Sequence, residues 1–167
     1  NQNTGINMTV VGSLNSFSGT NRQDNTLTTG NNSGAVPDIV MSTFYFLEYS
    51  QVGKLRIDGL NQSMRYNFVF YGGCKDRGKG QVTTYTIGNE SVNLDAKNNT
   101  MNTIQINNVV PDANGSVLIS LTPAIVSGFG YINSLSIQAI PSDITNMPSG
   151  RKASKEADVT AMLSNTD

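Results

Sequence analysis

The 167-residue sequence contains no histidine, no tryptophan and a single cysteine, Cys74. Without histidine the chain cannot form a Ser-His-Asp triad, a Cys-His pair or a histidine-ligated metal site. One cysteine cannot form an internal disulfide or a cysteine-rich zinc cluster. We therefore expect a protein that is not an enzyme, and whose fold depends on a hydrophobic core that a chain of this length can supply.

Charge is also scarce. Only 14% of the residues are charged, and 11 basic against 12 acidic residues leave a net charge of -1. Typical globular chains carry about 25% charged residues. No basic stripe is present to neutralise phosphates, so nucleic-acid binding is not expected. No apolar run approaches the roughly 18 residues of a membrane-spanning helix, so membrane insertion is not expected either.

Uncharged polar residues take the place of the missing charge, since Asn, Ser and Thr together make up about a third of the chain. Such a surface is typical of secreted and cell-surface β proteins, although turn chemistry alone also favours Asn and Gly. The chain begins with Asn1 and shows no signal-peptide pattern, so we expect a mature product or part of a longer protein. We predict an extracellular or cell-surface location.

Short apolar runs bounded by Gly, Asn and Pro recur along the chain and predict an all-β fold. About eight to ten strands with long loops indicate a jelly-roll-like antiparallel β-sandwich. A short helical turn is expected near residues 37–42, where Pro37 suits an early helical position. In the strand at 65–71, the inward set is either Tyr66, Phe68 and Phe70 or the opposite face.

The chain divides into two parts by composition. Residues 1–141 carry the strand pattern and form the predicted sandwich module. Residues 142–167 look like a linker and tail, either disordered or containing a short helix, because their helix propensity is fair but their apolar stripe is poor.

Several sequence blocks occur in the order of a known family. They are GNNSGAVPD at 30–38, GLN at 59–61, RYNFVFYG at 65–72, DR at 76–77, TYTIG at 84–88, AKNNT at 96–100, PDANG at 111–115 and GYINSL at 130–135. Over about residues 5–140 the chain thus resembles galactose-binding-domain-like β-sandwich modules of large secreted and surface-anchored bacterial proteins, many of which process polysaccharides. The resemblance implies a β-sandwich, an extracellular setting and association with carbohydrate.

The sequence departs from that family in two places. The family pattern usually begins with a further strand upstream of the position matching residues 4–6, so we expect the module to lack its first strand. Gly73-Cys74-Lys75 also stands where the family often has a Ser-Arg pair. The family's ligand chemistry is therefore not carried over to this loop.

A glycan site needs an aromatic ring for the C–H face of a sugar, and amide, carboxylate or guanidinium groups for its hydroxyls. Tyrosine must supply the ring because tryptophan is absent. The alternatives are core packing or cross-strand pairing for the tyrosines, an Asx turn for the Asn-rich loop, and a solvated charge or a pair with Asp76 for the arginine. The predicted carbohydrate-binding residues are Asn32, Asp38, Tyr45, Tyr71, Arg77, Tyr131 and Asn133.

No cofactor or metal ion is predicted. Calcium is a frequent structural ion in such sandwiches, but it needs six to eight oxygen ligands, several of them carboxylates or carbonyls. The aspartates are dispersed and form no D-x-D-x-D loop. They are Asp24, Asp38, Asp58, Asp95 and Asp112.

Two functions remain open at this point. The first is a non-catalytic carbohydrate-binding module of a larger secreted or cell-surface protein, with a polysaccharide or glycan and the other domains of the parent protein as partners. The alternative is a structural or assembly module of a surface protein or filament. It would self-associate by strand addition at an exposed sheet edge.

Overall fold

The computed structural model describes residues 4–17, 26–141 and 158–162. Asp24, one of the dispersed aspartates, lies outside the described residues. The linker at 142–157 and the last residues, 163–167, lie outside them as well. The expectation that the module lacks its first strand concerns sequence upstream of the chain and stays a prediction.

Twelve strands and one short helix make up the described chain. In order they are β1 (Asn7–Val10), β2 (Asn15–Phe17), α1 (Asp38–Met41), β3 (Phe44–Glu48), β4 (Gly53–Asp58), β5 (Met64–Tyr71), β6 (Val82–Ile87), β7 (Glu90–Asp95), β8 (Ile104–Val109), β9 (Val117–Pro123), β10 (Phe129–Ile132), β11 (Ser134–Pro141) and β12 (Asp158–Met162). The predicted all-β fold and its short helical turn are confirmed.

The strands form three sheets whose named strands all pair antiparallel. One sheet has the order β1-β4-β9-β6-β7, a second β12-β11-β5-β8, and a short third sheet β10-β3-β2. Side chains that alternate along the strands point into the core between the sheets. In β5 the buried set is Tyr66, Phe68 and Phe70, as the first of the two registers predicts. Phe70 stacks on Tyr85 of β6, with ring centroids 4.4 Å apart, and so joins two sheets across the core.

Residues 158–162 form a strand, which differs from the short helix or disordered tail that the sequence pattern favours. β12 runs antiparallel to β11, with Met162 opposite Ser134 and Asp158 opposite Gln138. Pairing partners of this kind are distant in sequence and override weak local helix propensity. β12 therefore occupies the edge of β11 that would otherwise be open.

One end of the sandwich is built from loops, and we call it the loop end. It comprises the segments 27–43, 72–81, 95–103 and 123–129. Backbone hydrogen bonds join them: Ala35 to Thr100, Cys74 to Ala96, and Phe129 to Gly80. A second hydrophobic cluster underlies this end, and its buried members are Phe44, Cys74, Ala96, Phe129 and Tyr131.

Within the three described segments, no helix has the length and apolar character needed to cross a membrane.

Candidate functional site

A buried amide anchors the loop end. Asn133 is fully buried, and its Oδ1 accepts a hydrogen bond from the Gly73 backbone N–H at 2.8 Å. Its Nδ2 donates to the carbonyl oxygens of Met41, at 2.9 Å, and Gly73, at 3.2 Å. One side chain thus satisfies backbone groups from the helix α1 and from the loop after β5, which would otherwise be buried without partners.

The Asn99 side chain also satisfies backbone groups, in the neighbouring loop. Its Nδ2 donates to the carbonyls of Gly72 and Asn102, and its Oδ1 accepts from the Asn102 N–H at 2.7 Å. The Tyr71 hydroxyl donates to the Asn99 carbonyl at 2.7 Å. Two buried asparagines and a buried tyrosine therefore fix the loop after β5.

Three of the sequence-predicted binding residues lie inside the protein. Tyr71 and Tyr131 are each 1% exposed and Asn133 is 0% exposed. Tyr131 packs edge-on against Phe44, with ring centroids 5.3 Å apart. The structure places these three side chains where they build the loop end and out of reach of a sugar ring in solvent.

The phenol of Tyr131 is unusual among the described residues because its oxygen is buried without a hydrogen bond of ordinary geometry. Its polar neighbours are the Cys74 thiol and the Arg77 guanidinium. Burial raises the pKa of Tyr131, Cys74 raises it further once its thiol has ionised in alkaline solution, and Arg77 opposes the rise. Burial also raises the pKa of Cys74, so this thiol stays protonated and inert at neutral pH.

Asn32 and Asp38 bind each other. The Asp38 backbone N–H donates to Asn32 Oδ1 at 2.8 Å, and the Asn32 N–H donates to Asp38 Oδ2 at 3.2 Å. Asp38 Oδ1 accepts from both the N–H and the hydroxyl of Thr29, each at 2.8 Å. The Thr29 backbone hydrogen bond is the main cause that lowers the pKa of Asp38. This pair closes the loop before α1, as the Asx-turn alternative describes.

Tyr45 lies on the other face of β3 from the loop-end cluster. Phe44 and Phe46 belong to that cluster, while Tyr45 is half-buried against the main core. Since side chains alternate along a strand, Tyr45 and Arg77 do not converge. Of the seven predicted residues, Arg77 is the one that is exposed beside an aromatic surface at the loop end.

Arg77 belongs to a group of four side chains that we call the cation–aromatic shelf: Tyr49, Arg77, Lys79 and Phe129. The Arg77 guanidinium carbon lies 5.1 Å from the centroid of the Phe129 ring. The Lys79 ammonium lies 5.8 Å from the ring centroids of both Tyr49 and Phe129. The two rings are 6.0 Å apart. Phe129 is 6% exposed and Tyr49 is 47% exposed, so Tyr49 offers the accessible ring.

The backbone of Tyr49 has φ 56°, in the left-handed region. For a bulky side chain this conformation costs about 1–2 kcal/mol. Hydrogen bonds hold it there: the Tyr49 N–H donates to the Gly128 carbonyl at 2.8 Å, and the Gln51 side chain accepts from the Glu48 N–H at 2.9 Å. The fold thus keeps a large aromatic ring at a position where Gly or Asn would cost less.

A polar depression opens at the same end. It has a volume of about 280 Å³ and is lined by Asp95, Lys97, Asn98, Asn99, Thr100, Met101 and Asn102. The Lys97 ammonium forms a 2.7 Å ion pair with Asp76, in the loop that carries Arg77 and Lys79. The hydrogen-bonded pairing with Lys97 is the main cause that lowers the pKa of Asp76. This ion pair connects the depression to the shelf's loop.

Lys79, Phe129 and Tyr49 were not among the predicted binding residues. The basic loop at 75–79 was the signal for Lys79. Tyr49 comes directly after β3, and the apolar run predicts that it is one more residue of that strand. No local sequence pattern links Tyr49 to Phe129. The two residues are neighbours because β10 pairs with β3.

In the part of the chain that the structure describes, no three metal-ligating side chains come together. Asp38 is engaged by Thr29 and Asn32, and Asp58 accepts from Ser116 and Arg56.

No protein-family model matches the sequence, and a search of curated proteins gave no match. The resemblance to galactose-binding-domain-like modules therefore stays a prediction from the sequence blocks.

Proposed function

We propose that the chain is a non-catalytic carbohydrate-binding module of a larger secreted or cell-surface bacterial protein. The observation that carries this proposal is the cation–aromatic shelf. Sugars pack their C–H faces on aromatic rings, and Tyr49 presents such a ring. Arg77 and Lys79 stand beside it with about eight N–H donors of the kind that sugar oxygens accept, about five on the guanidinium and about three on the ammonium group.

The backbone strain at Tyr49 supports the same function. The left-handed backbone places the Tyr49 ring beside Phe129 at a cost in strain, and strained residues cluster at binding sites. Tyr49 contributes little to the core, because nearly half of its surface is exposed. Contact with a ligand accounts for a large, half-exposed ring at this strained backbone position.

The sheet edge bears on the alternative assembly function. Strand addition needs an unpaired edge, and β12 already pairs with the free side of β11 along five residues. At that edge the chain supplies its own strand. This favours the binding module over assembly through β11.

The variant Tyr49→Asn tests the proposal. Asparagine tolerates the left-handed backbone but removes the ring. We expect affinity for a bound polysaccharide to fall at least about tenfold, the equivalent of one ring contact of about 1.4 kcal/mol. The free energy of unfolding should stay equal or rise by up to about 1 kcal/mol. Affinity electrophoresis over a polysaccharide panel, followed by calorimetry, measures the first effect, and urea unfolding measures the second.

A matched control for this variant is Leu118→Thr. Leu118 is also 47% exposed, but it lies on β9 in the five-stranded sheet. It should bind like the parent protein. Equal binding by Tyr49→Asn and the parent, or no binding of any polysaccharide by the parent, would contradict the proposed function.

A further inference from the structure

We infer that the polar depression beside Lys97 is a second saccharide subsite, so that the ligand is a neutral oligosaccharide whose chain reaches from the cation–aromatic shelf into the depression. This inference rests on the proposed function of the shelf and specifies its ligand. It follows from the position of the depression, from the held loop that forms it, and from the mixture of hydrogen-bonding groups at both places.

The shelf and the depression are joined through one loop, the segment 72–81, which carries Lys79 of the shelf. In the same loop the Asp76 carboxylate pairs with the Lys97 ammonium at 2.7 Å, and the Asp76 N–H donates to Asn98 Oδ1 at 3.0 Å. Lys97 and Asn98 line the depression. A saccharide chain that crosses the Asp76–Lys97 pair would therefore occupy both places.

The buried side chain of Asn99 holds the loop that forms the depression. Its Oδ1 accepts hydrogen bonds from the backbone N–H groups of Met101, at 3.2 Å, and Asn102, at 2.7 Å. Its Nδ2 donates to the carbonyl oxygens of Asn102, at 2.8 Å, and Gly72, at 2.9 Å. The backbone of this loop is thus fixed before a ligand arrives, and a pre-organised site loses less conformational entropy on binding.

The depression offers both donors and acceptors to a ligand. Among the described residues, the Thr100 hydroxyl and the Asn102 side-chain amide have no hydrogen-bond partner. Asp95 accepts from the Lys97 N–H through Oδ1 at 2.9 Å and keeps a second carboxylate oxygen. A sugar hydroxyl both donates and accepts, so a hydroxyl, an amide and a carboxylate suit it together.

The size of the depression also suits a sugar. Its volume of about 280 Å³ is near the lower end of the about 300–1,000 Å³ that small-molecule sites occupy, so it fits one ring rather than a length of chain. Met101 is 62% exposed and adds apolar surface for C–H groups. One unit of an oligosaccharide would fill the depression while another packs on Tyr49.

Both places carry carboxylates as well as cations, and this favours a neutral ligand. Glu48 stands opposite Phe129 in the register of β3 and β10, so their side chains lie on the same face of the sheet. In the depression Asp95 lies with Lys97, which already pairs with Asp76. A carboxylate accepts hydrogen bonds from sugar hydroxyls but repels an acidic sugar.

Oligosaccharides of increasing length test the inference on the full chain. Soluble chains from the monosaccharide to the hexasaccharide are taken from β-galactan, β-xylan and β-glucan, and their affinities are measured by calorimetry. In a series that the shelf binds, we expect the affinity to rise at least about tenfold between the disaccharide and the hexasaccharide. This rise is the equivalent of about one or two neutral hydrogen bonds.

The double variant Thr100→Ala/Asn102→Ala should lose this rise and bind short and long chains about equally. Its loop stays held, because Asn99 bonds to the backbone and not to the two altered side chains. The matched control is Asn7→Ala/Thr9→Ala, which removes the same two residue types from exposed positions on β1. It should keep the rise. Thermal unfolding of all three proteins verifies that they are folded.

The outcomes separate the two proposals. Equal affinity for the disaccharide and the hexasaccharide, or an unchanged rise in the double variant, would overturn the inference and leave the proposed function standing. No glycan binding would overturn both. Oligogalacturonate that binds at least about tenfold more tightly than neutral chains of the same length would also overturn the inference, because the ligand would then be acidic.

Discussion

Replacing Asn133 by alanine is expected to lower the free energy of unfolding by about 4 kcal/mol. The substitution leaves the Gly73 N–H and the Met41 and Gly73 carbonyls without their side-chain partner in a fully buried site. Each buried polar group left unsatisfied costs about 1–3 kcal/mol, and the cavity adds to this. A loss of this size approaches half of the stability of a typical domain.

Urea unfolding followed by circular dichroism measures this effect, with the midpoint shifting and the slope unchanged. Asn107→Ala is the control, since Asn107 is exposed on β8 and should change stability by less than about 0.5 kcal/mol. A loss below about 1 kcal/mol in Asn133→Ala would mean that water replaces the amide and that the loop end does not depend on it.

The same residue explains what the sequence could and could not predict. The period-two alternation of β5 places Tyr66, Phe68 and Phe70 inward, because burial of one face fixes a strand's register. Asn133 stands in GYINSL as one polar residue among apolar neighbours. Its role depends on Met41 and Gly73, which are 92 and 60 residues away along the chain. A local sequence pattern cannot predict that these three residues come together.

The candidate site shows the same division. Arg77 was predictable because a loop rich in Gly and Lys is exposed and carries charge. Tyr49 and Phe129 meet because β3 pairs with β10, with Glu48 opposite Phe129. Such long-range pairing sets which aromatic residues reach the surface together, and tyrosine counts alone cannot separate Tyr49 from the buried Tyr71, Tyr85 and Tyr131.

Those three buried tyrosines and Cys74 predict a steep loss of stability in alkaline solution. Burial raises the pKa of each tyrosine above its usual value near 10, and it raises the pKa of the Cys74 thiol as well. A pKa raised in the folded state means that the folded protein holds the proton more tightly than the unfolded chain does. The stabilisation is therefore complete below the unfolded pKa and is lost as the pH rises toward the folded pKa.

We expect the free energy of unfolding to begin to fall near pH 9, where unfolded cysteine ionises, and to fall faster above pH 10, where unfolded tyrosine ionises. Each group contributes up to about 1.4 kcal/mol per pH unit. Urea unfolding between pH 8 and pH 11.5 measures the slope. Absorbance at 295 nm should show ionisation of the buried tyrosines together with the loss of circular dichroism.

Tyr85→Phe separates the contribution of one phenol from the rest. The variant keeps the ring that stacks on Phe70 but removes the hydroxyl that donates to the Tyr131 carbonyl. The hydrogen bond is lost at all pH values, while the alkaline slope should decrease by about one proton, or 1.4 kcal/mol per pH unit. A phenol that is buried away from water resists ionisation in the folded state, so the stability of the parent protein must fall as the unfolded tyrosines ionise. Constant stability of the parent protein to pH 11 would contradict the alkaline loss of stability. An unchanged slope in Tyr85→Phe would contradict the contribution of Tyr85 to it.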